Sequence, residues 1–174
     1  MDHVLLYTGG TGCGKTYRAI TEADDFTIAV PCRQLAYEIW FDYRQQIQSI
    51  NTGEVRIEGG GNCVCVYENL TDAPITQKSL IIDEAQYIND SDRGGQLLQI
   101  ICNNIAAGKE VVLLTATDTI SPAVKLALNM SEVRLSPYGE PPKIHRVSRN
   151  KFAHEVRKGA NTIIFTRGIP QVAT

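Results

Sequence analysis

Eight residues near the start of the chain have the types and spacing of a phosphate-binding loop. The segment Gly9-Gly10-Thr11-Gly12-Cys13-Gly14-Lys15-Thr16 fits the pattern G-x-x-x-x-G-K-[ST] and follows the apolar run Val4–Thr8, which predicts a strand. Glycine lets a backbone pass close to a polyphosphate and turn successive N–H groups toward it. A helix is predicted to begin at Gly14, so the positive end of its dipole would face the same anion. The alternative is an ordinary glycine-rich turn, which the order of strand, loop and helix disfavours.

The loop predicts a site for ATP and Mg²⁺. We expect residues 10–16 to hold the nucleotide, since this is the part of the pattern whose backbone surrounds the phosphates. Lys15 is expected to reach the β- and γ-phosphates and to serve the transfer step. The hydroxyl of Thr16 is expected to bind the Mg²⁺ ion.

Two adjacent carboxylates follow a second apolar strand. In Leu80-Ile81-Ile82-Asp83-Glu84-Ala85-Gln86, Asp83 is expected to bind Mg²⁺ directly or through water, and Glu84 to polarise the attacking water. Acidic residues are common where a strand runs into a loop, so the pair alone would decide little. Together with the P-loop it predicts an ATP hydrolase.

Apolar runs alternate with helical spacers along the first three quarters of the chain. Continuous apolar strands suit a parallel sheet that is covered on both faces, and their spacing fits right-handed crossovers. The fold class is therefore predicted to be α/β. Strands are predicted at Val4–Thr8, Thr27–Val30, Cys63–Val66, Leu80–Ile82, Val111–Leu114 and Val133–Leu135, and helices at Cys32–Gln48, Gly94–Ala107 and Pro122–Asn129.

Composition narrows the compartment and the partners. The 174 residues are 43% apolar, yet no apolar run is long enough to cross a bilayer and no targeting signal is visible. We therefore expect no membrane partner and a cytoplasmic protein, with a viral or phage origin left open. The five cysteines form no pair of C-x-x-C units, which disfavours a zinc site and suits a reducing compartment.

Several segments, taken in order, resemble the superfamily 2 DExH/D-box helicases. Asp83-Glu84-Ala85-Gln86 is similar to the DExH/D box, and Val30–Ala36, Val66–Leu70 and Thr115-Ala116-Thr117 are similar to motifs Ia, Ib and III. Thr52-Gly53-Glu54 and Asp92-Arg93-Gly94 make the chain look more like the Ski-type and mitochondrial-degradosome-type RNA helicases. The resemblance covers residues 4–120 well and implies the first RecA-like lobe of such a motor.

The resemblance also implies roles for residues outside the ATP site. Contacts with a nucleic-acid backbone are carried over to Arg33, Gln34, Glu68 and Asn69, and the coupling of hydrolysis to strand binding to Gln86, Thr115 and Thr117. The polymer is expected to be RNA or DNA, with RNA favoured. Arg93 is expected to brace the acidic box, the segment Asp83-Glu84-Ala85-Gln86. The residue types allow simpler explanations, such as a solvated Arg33, a helix-capping Glu68 or threonines that fill a strand end.

The chain departs from the helicase pattern in its last part. No Q-x-x-G-R-x-x-R segment appears, so the arginines that a second RecA-like lobe would supply, in cis or in trans, are missing. Such arginines are worth about 10³–10⁵ in rate, so slow hydrolysis is expected from this chain alone. We expect an ATP-binding lobe over residues 1–136, a linker over 137–143, and the start of an incomplete second lobe or a terminal extension over 144–174. No glutamine-containing adenine motif precedes the first strand.

Charge and motif order leave two other functions open. Residues 143–174 hold 7 Lys/Arg against 1 Asp/Glu, which can attract a phosphate-rich partner or simply form a charged helix face. A P-loop NTPase of another kind, such as a small-molecule kinase or a packaging ATPase, is one alternative. A nucleotide-binding module without catalysis is the other. The leading prediction is an ATP-dependent helicase or translocase.

Overall fold

An eight-stranded sheet organises the part of the chain that the computed structural model describes, residues 4–117 and 119–136. The strand order is β4-β3-β5-β2-β6-β7-β1-β8. The strands are β1 (Val4–Thr8), β2 (Phe26–Val30), β3 (Ser49–Asn51), β4 (Arg56–Ile57), β5 (Cys63–Val66), β6 (Ser79–Ile82), β7 (Glu110–Thr115) and β8 (Met130–Arg134). The helices are α1 (Lys15–Glu22), α2 (Arg33–Asp42), α3 (Gly94–Ala106) and α4 (Pro122–Ala127), with short 3₁₀ helices at Tyr67–Asn69 and Ala85–Asn89.

The sheet is parallel except for the pairing of β3 with β4. Every residue of β2 and β6 is buried, as expected for central strands covered on both faces. This is the α/β arrangement of a RecA-like lobe that the sequence predicted. The strand order itself, with β6 and β7 inserted between β2 and β1, is a feature that the local sequence does not specify.

Two apolar cores lie on the two faces of the sheet. One joins α3 and the second 3₁₀ helix to side chains such as Leu80, Ile82 and Leu113. The other joins α1 and α2 to side chains such as Ile28 and Ile81. Because neighbouring residues of a strand point to opposite faces, Ile81 and Ile82 serve different cores. Cys65 is buried among these residues, whereas Cys63 is half-buried.

Helix α2 is six residues shorter at its end than the prediction of Cys32–Gln48, because it ends at Asp42. The amides of Gln46 and Ile47 both bond to the carbonyl of Tyr43, so the chain turns there. Ile47 is buried in this turn, so it continues the apolar pattern of the helix beyond the residue where the helix ends. Strands β3 and β4 follow, and neither was predicted, since three and two residues are too few to show alternation.

Helix α4 also ends earlier than predicted. The amide of Val124 donates to the Ser121 side chain at 3.3 Å, which caps the helix start, and Pro122 occupies the first turn. Asn129 adopts a left-handed backbone (φ 46°), so helical geometry stops before it. Strand β8 begins at Met130 rather than at the predicted Val133, in register with β1.

All the predicted motifs lie at one edge of the sheet. In a parallel sheet the carboxyl ends of the strands meet, and ligands bind in the crevice outside them. The P-loop follows β1, Arg33 follows β2, Glu68 follows β5, the acidic pair follows β6 and Thr117 follows β7. The topology thus turns motifs scattered over a hundred residues into one surface.

Between residues 4 and 136, with residue 118 set aside, no helix has the length and apolar character needed to cross a bilayer. The linker predicted at 137–143, the further segment at 144–174 and its basic charge lie outside the described residues.

Two leucines provide a test of the core. Leu113 on β7 is fully buried, whereas Leu126 on α4 is 84% exposed. We expect Leu113→Ala to lower the free energy of unfolding by about 2–5 kcal/mol, because it removes buried methyl groups and leaves a cavity. Leu126→Ala should change it by less than about 0.5 kcal/mol. Urea unfolding of the two variants checks this, and equal effects would contradict the placement of β7 at the centre of the sheet.

Candidate active site

The P-loop backbone is shaped by its glycines. Gly14 precedes α1 with a left-handed backbone (φ 79°), a conformation that side-chain-bearing residues avoid. A Cβ atom on Gly9 would lie 2.6 Å from the carbonyl oxygen of Leu135 and 2.7 Å from the Cys13 sulfur. Any larger residue at position 9 would therefore displace the loop. The predicted helix start is confirmed to within one residue, since α1 begins at Lys15.

Lys15 lies across the mouth of this loop. Its Nζ atom donates to the carbonyl oxygens of Gly9 at 2.7 Å and Gly10 at 3.1 Å, and it is 3.7 Å from the Cys13 sulfur. Because Lys15 is the first residue of α1, its ammonium group and the helix N-terminus concentrate positive charge at one point. This arrangement suits a polyphosphate.

Thr16 joins the P-loop to the acidic box. Its Oγ1 atom donates to Asp83 Oδ2 at 3.2 Å. The contact is not between neighbouring strands, since β7 separates β1 from β6. Helix α1 packs against β7 and carries Thr16 over it. The structure thus brings together the two residues that the sequence predicted as magnesium ligands.

Asp83 is buried at the end of β6. Its two carboxylate oxygens accept separate hydrogen bonds, Oδ2 from Thr16 and Oδ1 from the backbone amide of Glu84 at 2.9 Å. Burial and then the neighbouring Glu84 charge raise the pKa of Asp83, while these hydrogen bonds and the Lys15 charge oppose the rise. The side chain is therefore a desolvated acid held beside a cation.

Glu84 has a strained backbone. Its φ and ψ angles of 56° and 47° are left-handed, and it shares this trait with only one other non-glycine residue in the described ranges, Asn129. Such a conformation costs on the order of 1–3 kcal/mol and is found where surrounding contacts enforce it, often in active sites. The Glu84 carboxylate accepts a hydrogen bond from Gln86 Nε2.

The residues predicted to couple hydrolysis to strand binding also meet. The Oγ1 atom of Thr115, at the end of β7, lies 2.9 Å from Gln86 Oε1 and 2.6 Å from the carbonyl oxygen of Thr117. Gln86 therefore touches Glu84 with one end of its amide and Thr115 with the other. A continuous path of side chains runs from the acidic pair to the end of β7.

The residue types fit a bound Mg²⁺ ion. Magnesium prefers oxygen ligands in an octahedral shell at 2.0–2.1 Å, so adjacent ligand oxygens lie about 3 Å apart. The oxygens of Thr16 and Asp83 are 3.2 Å apart. Asp83 also supplies the negative charge that a divalent cation needs. The donor set therefore fits the predicted ion.

Arg33 and Gln34 lie on the exposed first turn of α2. Arg33 forms an ion pair with Glu54, and Gln34 Nε2 donates to Glu38 at 2.9 Å. Exposed ion pairs are worth about 0–1 kcal/mol, so a phosphate can replace such a partner at little cost.

Glu68 and Asn69 lie after β5 on the first 3₁₀ helix. Glu68 pairs with Arg93 at 3.2 Å, and Asn69 Nδ2 donates to the carbonyl oxygen of Asn51 at 3.1 Å. The Arg93 guanidinium also lies 3.5 Å from the carbonyl oxygen of Pro31. These contacts are with the segments after β2 and β5, and not with the acidic carboxylates that Arg93 was expected to brace.

Tyr67 contacts the acidic box, and this contact was not predicted from the sequence. Its hydroxyl donates to the carbonyl oxygen of Asp83 and lies 3.3 Å from that of Glu84. One signal in the sequence could have indicated it. Tyr67 directly follows a buried strand, at the edge where the other motifs lie, and its side chain ends in a hydrogen-bond donor.

The sequence also matches a known protein family over most of its length. Residues 2–135 match the family model described as the DEXQ-box helicase domain of Suv3. The chain belongs to this family. The Gln86 that bridges Glu84 and Thr115 is the glutamine of the D-E-x-Q pattern.

Two curated relatives carry the same family name. The mitochondrial ATP-dependent RNA helicases SUV3 of Saccharomyces paradoxus and of Saccharomyces cerevisiae are each 30% identical to the chain over 145 residues. The alignments cover 77% of this chain and 19% of each relative. The chain thus spans about a fifth of the length of these helicases.

Solved helicase structures resemble the chain more distantly. The arterivirus nonstructural protein 10 helicase in complex with DNA is 13% identical with a TM-score of 0.49, and 77% of this chain aligns with 35% of that one. The C-terminal domain of a possible DNA helicase from Lactobacillus plantarum WCFS1 is 16% identical with a TM-score of 0.49, over 76% of this chain and 85% of that one.

The buried Asp83 predicts a pH-dependent stability. A carboxyl group whose pKa is raised on folding favours the folded state below its ordinary pKa of 3.8, and this contribution is lost as the pH rises through the folded value. Asp83→Asn should therefore make the nucleotide-free protein more stable at pH 7, and the gain should shrink toward pH 4. Thermal unfolding across this range measures the effect.

Asp90 serves as a control of opposite sign. Hydrogen bonds from the amides of Asp92 and Arg93 lower the pKa of this exposed carboxyl group. Its contribution to stability is present above 3.8 and is lost as the pH falls, so Asp90→Asn should not stabilise the protein at pH 7. A destabilised Asp83→Asn variant at neutral pH would contradict the described burial of Asp83.

Proposed function

We propose that the chain is the first motor lobe of an ATP-dependent nucleic-acid helicase or translocase. The observation that carries the proposal is the hydrogen bond from Thr16 to Asp83, which makes one site of the P-loop and the acidic box. The path from Glu84 through Gln86 to Thr115 adds a link from that site to a neighbouring strand end. Membership of a helicase domain family supports the same function.

In this proposal the P-loop binds the triphosphate. Backbone N–H groups of residues 10–16 and the N-terminus of α1 surround the phosphates. Lys15 exchanges its two carbonyl partners for phosphate oxygens and stabilises charge that develops during transfer. Thr16 and Asp83 would hold Mg²⁺, which neutralises phosphate charge when bound.

Glu84 orients and polarises the attacking water. Its carboxylate belongs to a residue whose backbone is held in a left-handed conformation, so the group is positioned before substrate arrives. Gln86 fixes one carboxylate oxygen and leaves the other for water. The water attacks the γ-phosphorus, the bond from the γ-phosphorus to the bridging oxygen breaks, and Glu84 accepts the proton.

The nucleic acid would bind along the carboxyl edge of the sheet. The first turn of α2, with Arg33 and Gln34, offers backbone N–H groups and positive charge to phosphates, and residues 68 and 69 extend this surface after β5. RNA is the favoured polymer, because both curated relatives are named RNA helicases. ATP-driven changes at Gln86 and Thr115 would alter the grip on the strand.

A second RecA-like lobe, in cis or in trans, is proposed to complete the cleft. Its arginines would stabilise the transferring phosphoryl group, an effect worth about 10³–10⁵ in rate in related hydrolases. This chain by itself should bind ATP and hydrolyse it slowly.

The test is ATP hydrolysis with and without nucleic acid. Steady-state turnover of the full 174-residue chain should rise when RNA or single-stranded DNA is added. Hydrolysis that neither polymer changes would favour a P-loop NTPase of another kind. ATP binding with no hydrolysis under any condition would favour a non-catalytic module.

Glu84→Gln should lower kcat by about 10²–10⁴-fold, the range that a general base contributes, because the amide cannot accept the proton. ATP affinity should stay within about twofold. The matched control is Glu58→Gln, the same substitution at an exposed residue that follows β4, the outermost strand of the sheet. Full activity in the Glu84 variant would exclude the proposed base.

Lys15→Ala should impair ATP binding, which comes before hydrolysis. A charged hydrogen bond contributes about 1.5–3 kcal/mol, so its removal should weaken ATP binding by about 10–100-fold. Equilibrium titration with a fluorescent ATP analogue measures this. Lys78 lies at the amino end of β6, away from the P-loop, so Lys78→Ala should leave the ATP affinity unchanged. Equal losses in both variants would argue against the P-loop as the ATP site.

A further inference from the structure

Tyr67 occupies an unusual position for a tyrosine. It begins the 3₁₀ helix after β5, is 6% exposed, and reaches past β2 to the end of β6. Its ring meets the Tyr87 ring edge to face, with 6.1 Å between centroids. Tyr87 belongs to the 3₁₀ helix that follows the acidic pair. The aromatic pair therefore packs the segment after β5 directly against the acidic box.

The Tyr67 hydroxyl contacts the two carbonyl groups that flank Glu84. It donates to the carbonyl oxygen of Asp83, and the carbonyl oxygen of Glu84 lies 3.3 Å away. The first carbonyl precedes the φ rotation of Glu84 and the second follows its ψ rotation. Contacts at both ends oppose rotation of the strained residue toward an ordinary conformation. Burial raises the pKa of Tyr67, so the hydroxyl keeps its proton and stays a donor at neutral pH.

The residues after Tyr67 have weaker anchors. The ion pair between Glu68 and Arg93 is half exposed. The side-chain amide of Asn69 donates only to oxygens of one residue, Asn51. A nucleic-acid strand bound at residues 68 and 69 would replace these contacts and displace the short 3₁₀ helix. Because Tyr67 is the first residue of that helix, the displacement would change its contacts with the carbonyl groups around Glu84. This route does not pass through Gln86 and Thr115.

We propose that Tyr67 is a positioning residue that holds Glu84 in its active conformation and links it to the nucleic-acid segment after β5. This inference rests on the proposed function. It adds a second connection between strand binding and hydrolysis, on the opposite side of β6 from the Thr115 path.

Tyr67→Phe removes only the hydroxyl and keeps the buried ring. We expect kcat to fall at least about tenfold, since displacing a catalytic group by about 1 Å can cost up to about 10²-fold. The KM for ATP should stay within about twofold, because the P-loop is unaltered. Stimulation by RNA or DNA should also be smaller than in the unaltered chain. A residue with a merely structural role would not separate kcat from KM in this way.

Tyr37→Phe is the matched control. It removes a hydroxyl that lies 3.2 Å from Thr52 Oγ1, away from the acidic box. Its kcat and its stimulation should equal those of the unaltered chain. If Tyr67→Phe keeps kcat within twofold and full stimulation, the proposal is overturned while the proposed function stands.

Amide hydrogen exchange supplies a readout that needs no activity. The Tyr87 amide bonds to the carbonyl oxygen of Glu84 at 3.2 Å, so its exchange reports the position of that carbonyl. In Tyr67→Phe it should exchange faster, while the Arg18 amide in α1 should not. Unchanged exchange at Tyr87 overturns the holding role. If nucleic acid does not change ATP hydrolysis by the unaltered chain, the link between nucleic-acid binding and Glu84 is overturned, together with the proposed function.

Discussion

The hydrogen bond between Thr16 and Asp83 is the contact on which the site depends. Its two residues follow β1 and β6, which are not neighbours in the sheet, and they meet because α1 carries Thr16 across the intervening β7. Asp83 is buried, and burial makes an isolated carboxylate unfavourable. Thr16, the Glu84 amide and the nearby Lys15 charge reduce that cost. The same arrangement places two oxygens at a separation that suits magnesium.

The strained backbone of Glu84 is explained by the contacts on both sides of β6. A left-handed backbone at a residue with a side chain persists only where neighbours enforce it. Here β6 is held from both sides, by Thr16 reaching over β7 and by Tyr67 reaching over β2. In the proposed mechanism, a Glu84 carboxylate fixed this way would not have to be ordered during the reaction. A change at β7 or β2 could also reach the proposed base through these contacts.

Much of the fold, and the residues of the proposed ATP site, could be predicted because the signals are local. Glycine spacing, a lysine and a threonine mark the P-loop, and an apolar run ending in two acids marks the box. The end of α2 was predicted too late, since the buried Ile47 continues the apolar pattern through a turn. Tyr67 was not predicted because its role depends on the strand order, which places β5 and β6 on either side of β2. The nucleic-acid roles of Arg33, Gln34, Glu68 and Asn69 stay predictions.

A double-mutant cycle on Thr16 and Asp83 would show whether the two residues act together on Mg²⁺. Binding of a fluorescent ATP analogue would be titrated with and without Mg²⁺ for the unaltered chain, Thr16→Val, Asp83→Asn and the double variant. If the two residues form one magnesium site, each single change should abolish most of the Mg²⁺-dependent affinity. The double variant should then be no weaker than the weaker single variant, a coupling within the 0.5–3 kcal/mol expected of residues in contact. Losses that simply add, or an ATP affinity that does not depend on Mg²⁺, would contradict a shared magnesium site.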